Sequence, residues 1–225
     1  MLEKKDLVSD MLSKGIIYLE GKITSDTARE FCMAVAWLES QNREKAKLYI
    51  DSIGGNVIAG LDMYDMLRHT KISVEGIVCR QAHSIASVIL QGCTVRYALE
   101  HAEIQIHSLR VSEMSLDKYD ADINSTLDRA RGEVCTIAEA IARQGNDIGK
   151  ISDLINSFIT KIEGDLSKTL GGPREKQQSI VDIYKLRTGK EEGEIRETLR
   201  MDKAMSAKEA REFGLIDEII TSYKI

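Results

Sequence analysis

The chain has 225 residues, of which 43% are apolar and 30% charged, a balance that suits a folded globular protein and excludes an intrinsically disordered one. Its net charge is −5, and no run of Lys and Arg interleaves with aromatic residues, which argues against a nucleic-acid partner. No segment is long and apolar enough to span a bilayer, and no apolar leader opens the chain, so we expect a cytoplasmic protein that makes no membrane contact.

The cysteines do not form a pattern that binds a metal or builds a disulfide framework. Cys32, Cys79, Cys93 and Cys135 are widely spaced, with no CxxC pair and no histidine at metal-ligand spacing. We therefore expect reduced, mostly buried thiols and no metal site.

Strands and helices are predicted to alternate through the first half of the chain. Short β-rich apolar runs predict strands at 15–20, 47–52, 73–79, 94–99 and 103–107. Helical spacing of apolar residues predicts helices at 25–40, with Ser25 or Asp26 as N-cap, at 56–68, and in a small-residue segment from Ala82 to about Gln91. Such alternation indicates a layered α/β fold with largely parallel strands.

The second half is mainly helical by the same criterion. Apolar residues at steps of three and four predict a long amphipathic helix over 115–142 and a second helical stretch over 148–162. Gly171-Gly172-Pro173 marks a break. Helical patterns then continue through Tyr184, over 190–199 and over 206–212, before a closing strand at 215–220.

Two short segments have the chemistry that an acyl-transfer site needs. Ser84 follows an apolar strand and opens a helix, where unpaired N–H groups and the helix dipole favour negative charge. Gly54-Gly55 ends another strand, and free N–H groups there could stabilise a tetrahedral intermediate. Each has an ordinary explanation by itself, because a serine at a helix start is usually a cap and Gly-Gly is usually a turn.

The order of motifs is more specific than either segment. LYIDSIGG, AHSIAS, IQIH and MDKAMSAKEAREFGLID follow one another along the chain. This series resembles the proteolytic subunit of the Clp protease, ClpP, whose motifs are a Ser-Pro-Gly-Gly turn, Gly-x-Ala-Ala-Ser-Met, a strand ending in Met-Ile-His, and an acid before Phe-Leu-Ser-Ala. The likeness covers about residues 9–107 and 180–221.

The resemblance implies a Ser-His-Asp serine peptidase, a hydrolase that needs no cofactor. Ser84 would be the nucleophile, His107 the general base and Asp202 the residue that orients the base. The N–H groups of Gly55 and Ile85 would form the oxyanion hole. The implied fold is the α/β spiral of ββα units shared by ClpP and the crotonases, and the implied assembly is a homo-oligomeric ring, or two stacked rings, that degrades polypeptides.

Several positions depart from the family pattern. Ile53 replaces the turn proline, and Arg80 and His83 replace a glycine and an alanine near the nucleophile. His83 is either a bystander or a competitor of His107 for the serine proton. The 23-residue interval from Ser84 to His107 is closer to phage-encoded relatives than to the bacterial housekeeping form.

The largest departure lies between His107 and Asp202, which are 95 residues apart. The excess predicts a ClpP-like α/β head formed by 1–110 and 180–225, with an extended helical handle or insertion over 111–179. We interpret the insertion as a lengthened oligomer contact, with a lid or a partner-binding element as the alternative. Few residues precede the matching region, so docking of an ATPase unfoldase is not expected.

Two alternatives belong to other functional classes. A crotonase-type enzyme would act on a coenzyme A thioester with the same fold and a similar oxyanion hole, but it would not use Ser84. A non-catalytic ClpP-like scaffold subunit would hold the triad out of alignment. ATP chemistry by this chain itself is not expected, because Thr188-Gly189-Lys190 lacks the remainder of a P-loop.

Overall fold

A computed structural model describes residues 4–111, 114–116, 124–125, 128, 132, 160 and 171–221. The predicted helices at 115–142 and 148–162 therefore lie almost entirely outside the described residues. Contacts divide the chain into two compact units, one formed by 1–107 and 180–225 and the other by 108–179.

The first unit contains most of the described elements. Its helices are α1 (Lys4–Ser13), α2 (Ser25–Ser40), α3 (Val57–His69), α4 (Ile85–Gly92), α5, α6 (Glu192–Met201) and α7 (Ala207–Phe213). The label α5 denotes helical backbone over 171–188, of which the part from residue 180 onward belongs to the first unit. Its strands are β1 (Ile16–Ile23), β2 (Lys45–Gly55), β3 (Ser73–His83), β4 (Val95–Leu99), β5 (Glu103–Gln105), β8 (Ala204–Ser206) and β9 (Glu218–Ile220). In the second unit, β6 (Arg110–Val111) pairs with β7 (Met114–Ser115) in antiparallel orientation.

A seven-stranded, mostly parallel sheet organises the first unit. Strands β1, β2, β3, β4 and β9 are neighbours in that order, and all of these pairs are parallel. The end of β3 turns from β4 to a second partner, β5, which pairs with β8 in antiparallel orientation. This architecture confirms the predicted α/β class and the ClpP-type fold.

Buried aliphatic side chains hold the helices on the sheet. Burial alternates along β2, where Ala46, Leu48 and Ile50 face the core, and α2 buries Phe31 and Val35 by helical spacing. Every residue of α4 is buried, which explains why most of its residues are apolar or small. None of the helices in the described part of the chain is long and apolar enough to cross a bilayer.

Several predicted boundaries were wrong, for local physical reasons. Thr24, not Ser25 or Asp26, caps α2, because its hydroxyl exchanges a reciprocal capping box with Thr27. The helix predicted from Ala82 begins only at Ile85, because β5 extends the pairing of β3 to His83. The strand predicted at 103–107 ends at Gln105, and α1 and β8 were not predicted.

Candidate active site

Ser84 occupies a tight turn between the end of β3 and the start of α4. Its backbone has φ 55° and ψ −129°, a conformation that costs a non-glycine residue about 1–3 kcal/mol and persists only when the surroundings enforce it. The surroundings do so from both sides. The Ser84 N–H donates to the Gln105 carbonyl at 2.9 Å, and the Ser84 carbonyl accepts from the Ser87 N–H at 3.0 Å.

The hydroxyl of Ser84 is not used as a helix cap. Within the described part of the chain it makes no capping hydrogen bond to α4. The ordinary explanation for a serine at a helix start therefore does not apply. Ser84 is half-buried, at a position where the first N–H groups of α4 have no intrahelical carbonyl to bond.

The register of the sheet brings Gly54 to this turn. Ser52 pairs with Ala82, so Gly54 and Ser84, each two residues further along the chain, are also neighbours. A Cβ added to Gly54 would lie 2.7 Å from the Ser84 Cβ and 2.7 Å from the His83 carbonyl oxygen, and 3.3 Å from the Ile85 nitrogen. Only glycine permits this approach, and its φ of 85° favours glycine as well.

Gly55 has a different neighbour from Gly54. A Cβ at Gly55 would lie 2.2 Å from the carbonyl oxygen of Ile23, so this glycine allows β1 and β2 to pair at their ends. Ile53, which precedes Gly54 at the position of the family's turn proline, is 57% exposed. Sequence reasoning treated the two glycines as one turn, whereas the structure gives each a separate close contact.

Gln105, which the sequence did not single out, links Ser84 to Asp202. Its backbone carbonyl accepts from Ser84, and its side-chain amide donates to the Asp202 carboxylate at 3.1 Å and to the Asp202 carbonyl at 3.2 Å. Asp202 ends α6 in the left-handed conformation (φ 50°, ψ 36°) and is exposed. The pairing of Gln105 with Ala204, between β5 and β8, holds Asp202 in place. The sequence signal that could have revealed Gln105 is its position as a polar residue in the predicted strand that ends at the candidate base, His107.

Two histidines lie at this end of the sheet. His107 follows β5 and is half-buried, and His83 is the last residue of β3. Burial lowers the pKa of His83; the carboxylate of Glu103, 3.9 Å away, opposes this shift, while His107 and Arg80 add to it. The Nε2 atom of His83 is buried and has no hydrogen-bond partner among the described residues. His83 is therefore favoured in its neutral form beside Ser84.

The ends of β2, β3 and β5 thus lie side by side at this edge of the sheet. β2 brings Gly54 against Ser84, which follows β3, and Gln105 at the end of β5 bonds to both Ser84 and Asp202. His107 lies two residues beyond Gln105. Within the described residues, no group of three or more His, Cys, Asp or Glu side chains could hold a metal ion. A strained strand–serine–helix turn beside a glycine and a histidine is typical of hydrolases that use a serine nucleophile.

Comparison with known families agrees with this assignment of class. The sequence profile of the family described as Clp protease matches residues 2–160 and 163–223. The chain therefore belongs to the Clp protease family, which makes it a ClpP-like peptidase and confirms the resemblance drawn from its motifs.

Proposed function

We propose that this protein is a serine endopeptidase in which Ser84, His107 and Asp202 form the catalytic triad. The observation that carries the proposal is the strained backbone of Ser84, held between two hydrogen-bonded peptide groups and pressed against Gly54. A fold retains such strain where it serves a function, and here the strain presents a hydroxyl that caps nothing in the described part of the chain.

The proposed reaction proceeds through an acyl-enzyme. His107 accepts the hydroxyl proton of Ser84 as Oγ attacks the carbonyl carbon of the scissile peptide bond. His107 then gives that proton to the leaving amine as the carbon–nitrogen bond breaks. A water molecule attacks the resulting ester, transfers a proton to His107, and releases the acid product while the proton returns to Ser84.

The oxyanion of each tetrahedral intermediate would be held by the N–H groups of Gly55 and Ile85. Ile85 is the first residue of α4, so the helix dipole adds to the stabilisation of negative charge. Asp202 would fix the tautomer of His107 and offset its positive charge. The hydrogen bonds from Gln105 to Asp202 support this role by limiting the motion of the carboxylate.

We further propose that identical subunits assemble into a ring that encloses the active sites. The chain's family generally forms oligomeric rings. The α/β head would form the body of each subunit, and the insertion over 111–179 would contribute an oligomer contact. Polypeptides are the proposed substrates.

Labelling with a fluorophosphonate probe, followed by peptide mass spectrometry, tests the nucleophile directly. We expect an adduct on Ser84 that disappears in Ser84→Ala and in His107→Ala, because the unactivated hydroxyl reacts slowly. Ser40→Ala, at an exposed serine of α2, is the matched control and should keep the adduct. An adduct elsewhere, or none on the assembled protein, would refute the triad.

The same experiment separates the two rival functions. A scaffold subunit would assemble but would not be labelled at Ser84. A crotonase-type enzyme would also escape labelling, but coenzyme A would raise its melting temperature, because a ligand that binds only the folded state stabilises that state. The match to the Clp protease family favours the peptidase over the crotonase.

A further inference from the structure

Two buried hydroxyl groups lie directly behind Ser84. Ser87 and Tyr184 are 0% and 1% exposed. The Ser87 Oγ lies 2.5 Å from the Ser84 carbonyl oxygen and 2.7 Å from the Tyr184 hydroxyl. Neither residue was predicted to take part in the site.

The directions of these two hydrogen bonds follow from the Ser84 carbonyl oxygen, which is the last acceptor in the series. A carbonyl oxygen can only accept, so the single hydroxyl proton of Ser87 is donated to Ser84. The Tyr184 hydroxyl must then donate its own proton to the Ser87 Oγ. Burial raises the pKa of Tyr184, which keeps this phenol protonated and able to donate.

This arrangement also fixes a neighbouring N–H group. The Ser84 carbonyl and the Ile85 N–H belong to one planar trans peptide, in which they point in opposite directions. A carbonyl held by Ser87 therefore sets the direction of the Ile85 N–H. The preceding peptide is held as well, because the Ser84 N–H donates to Gln105.

We propose that Tyr184 and Ser87 form a hydroxyl relay that orients the Ser84–Ile85 peptide and thereby aims the Ile85 N–H at the oxyanion. This inference rests on the proposed function, which assigns the N–H its role. Tyr184 acts through Ser87 and touches no substrate, so it is a positioning residue. An N–H that is correctly aimed matters most when negative charge develops, so the relay acts on kcat more than on KM.

Tyr184→Phe removes only the hydroxyl and is the first test. With a short fluorogenic peptide we expect kcat to fall about tenfold, less than the roughly hundredfold lost when an oxyanion donor is removed outright. KM should stay within about twofold, and affinity for a peptide boronate, which mimics the tetrahedral intermediate, should fall in parallel with kcat/KM. Tyr64→Phe, at a buried tyrosine of α3, is the matched control and should change none of these values.

Ser87→Ala and the double variant show whether the two hydroxyls act as one unit. Ser87→Ala leaves the Tyr184 hydroxyl buried without its partner, so this variant alone could lose stability. The double variant removes both groups and avoids that penalty. We expect it to be no slower than Ser87→Ala, because non-additive losses identify residues that act through one another.

Two outcomes would overturn the relay, and they differ from failure of the proposed function. Tyr184→Phe with unchanged kcat and boronate affinity, or with a change in KM alone, would show that the hydroxyl only supports the fold. Additive losses in the double variant would show that the residues act separately. In both cases the wild type is labelled at Ser84. A wild type that no fluorophosphonate labels would instead refute the peptidase, and the relay with it.

Discussion

The contribution of His83 to the stability of the fold is expected to depend on pH. The charged and titratable groups that act on its side chain are Glu103 and His107, on or beside β5, and Arg80 of β3, and its Nε2 is buried without a partner among the described residues. Burial lowers its pKa in the folded state below the ordinary value of about 6.5 that it regains on unfolding. Protonation therefore favours the unfolded chain.

The sign of the resulting pH dependence can be predicted. Between the folded-state pKa and about pH 6.5 the unfolded chain binds more protons, so the free energy of unfolding rises with pH. The destabilising effect of His83 is absent above about pH 6.5 and grows as the pH falls from there towards the folded-state pKa. We expect His83→Ala to show a shallower decline between about pH 7 and pH 5 than the wild type, measured by urea unfolding. His101→Ala controls for the loss of an exposed histidine, and an identical slope in wild type and His83→Ala would contradict the prediction.

At the residue scale, sequence and structure contribute different information about the site. Ser84, His107 and Asp202 are predicted from motifs, because a catalytic role would restrict the residue type at each position. Gln105, Ser87 and Tyr184 were not predicted, because each forms a hydrogen bond with a partner far away in sequence. The hydrogen bond between Ser87 and Tyr184 spans 97 residues, and neither local spacing nor periodicity specifies such a pair.

At the scale of elements, the site depends on how closely the end of β2 approaches the turn between β3 and α4. Gly54 and Gly21 allow a controlled test, because their φ values of 85° and 79° are similar while their surroundings differ. A Cβ at Gly54 would overlap Ser84 and His83, whereas no described atom lies within 4 Å of a Cβ at Gly21. Both alanine variants carry the backbone strain, but only Gly54→Ala displaces Ser84.

We expect Gly21→Ala to lower the free energy of unfolding by about 1–2 kcal/mol, the usual cost of left-handed backbone with a Cβ, and to retain Ser84 labelling. Gly54→Ala should lose more stability and most of its labelling rate, because His83 O and the Ser84 Cβ must both move. Chemical denaturation and fluorophosphonate labelling rates measure the two effects. Equal labelling in both variants would mean that the approach of β2 does not position Ser84.

The helix that follows Ser84, α4, is held at both of its ends. Near its start, Ser87 bonds to Tyr184. Near its end, the Gln91 amide donates to the Leu215 carbonyl at 3.3 Å, and its oxygen accepts from Arg96 at 2.7 Å. The buried Arg96 in turn forms an ion pair with Asp217, whose side chain is partly exposed. The small-residue segment after β3 predicted a helix here, and these polar contacts hold both parts of that helix against the rest of the fold.

At the scale of the whole molecule, the periodic pattern of the sequence was sufficient for the fold class. Parallel strands with intervening helices follow from alternating apolar runs, and most predicted elements match the structure within a few residues. The missed strand β8 has only three residues, and it exists because β5 offers an edge for pairing. Such an element has too few residues for a pattern, so it can be recognised only from the partner strand.

The proposed ring requires surfaces that associate, and α2 offers one. Met33 and Trp37 lie one turn apart on this helix and are 66% and 42% exposed, on the side opposite the buried Phe31 and Val35. Adjacent exposed apolar side chains of this size are more typical of a protein–protein contact than of a free surface. We therefore expect subunit association to cover them.

Charged substitutions on α2 test this expectation. The wild type should sediment as a multiple of the 25.1 kDa subunit, and Met33→Lys combined with Trp37→Lys should shift it towards smaller species, because association would bury unpaired charges. Ser40→Lys adds a charge at the exposed end of the same helix and should assemble normally. If the double variant assembles like the wild type while Ser84 remains reactive, the ring contacts lie on other faces. The segment over 111–179, which we propose contributes an oligomer contact, then becomes the next to test.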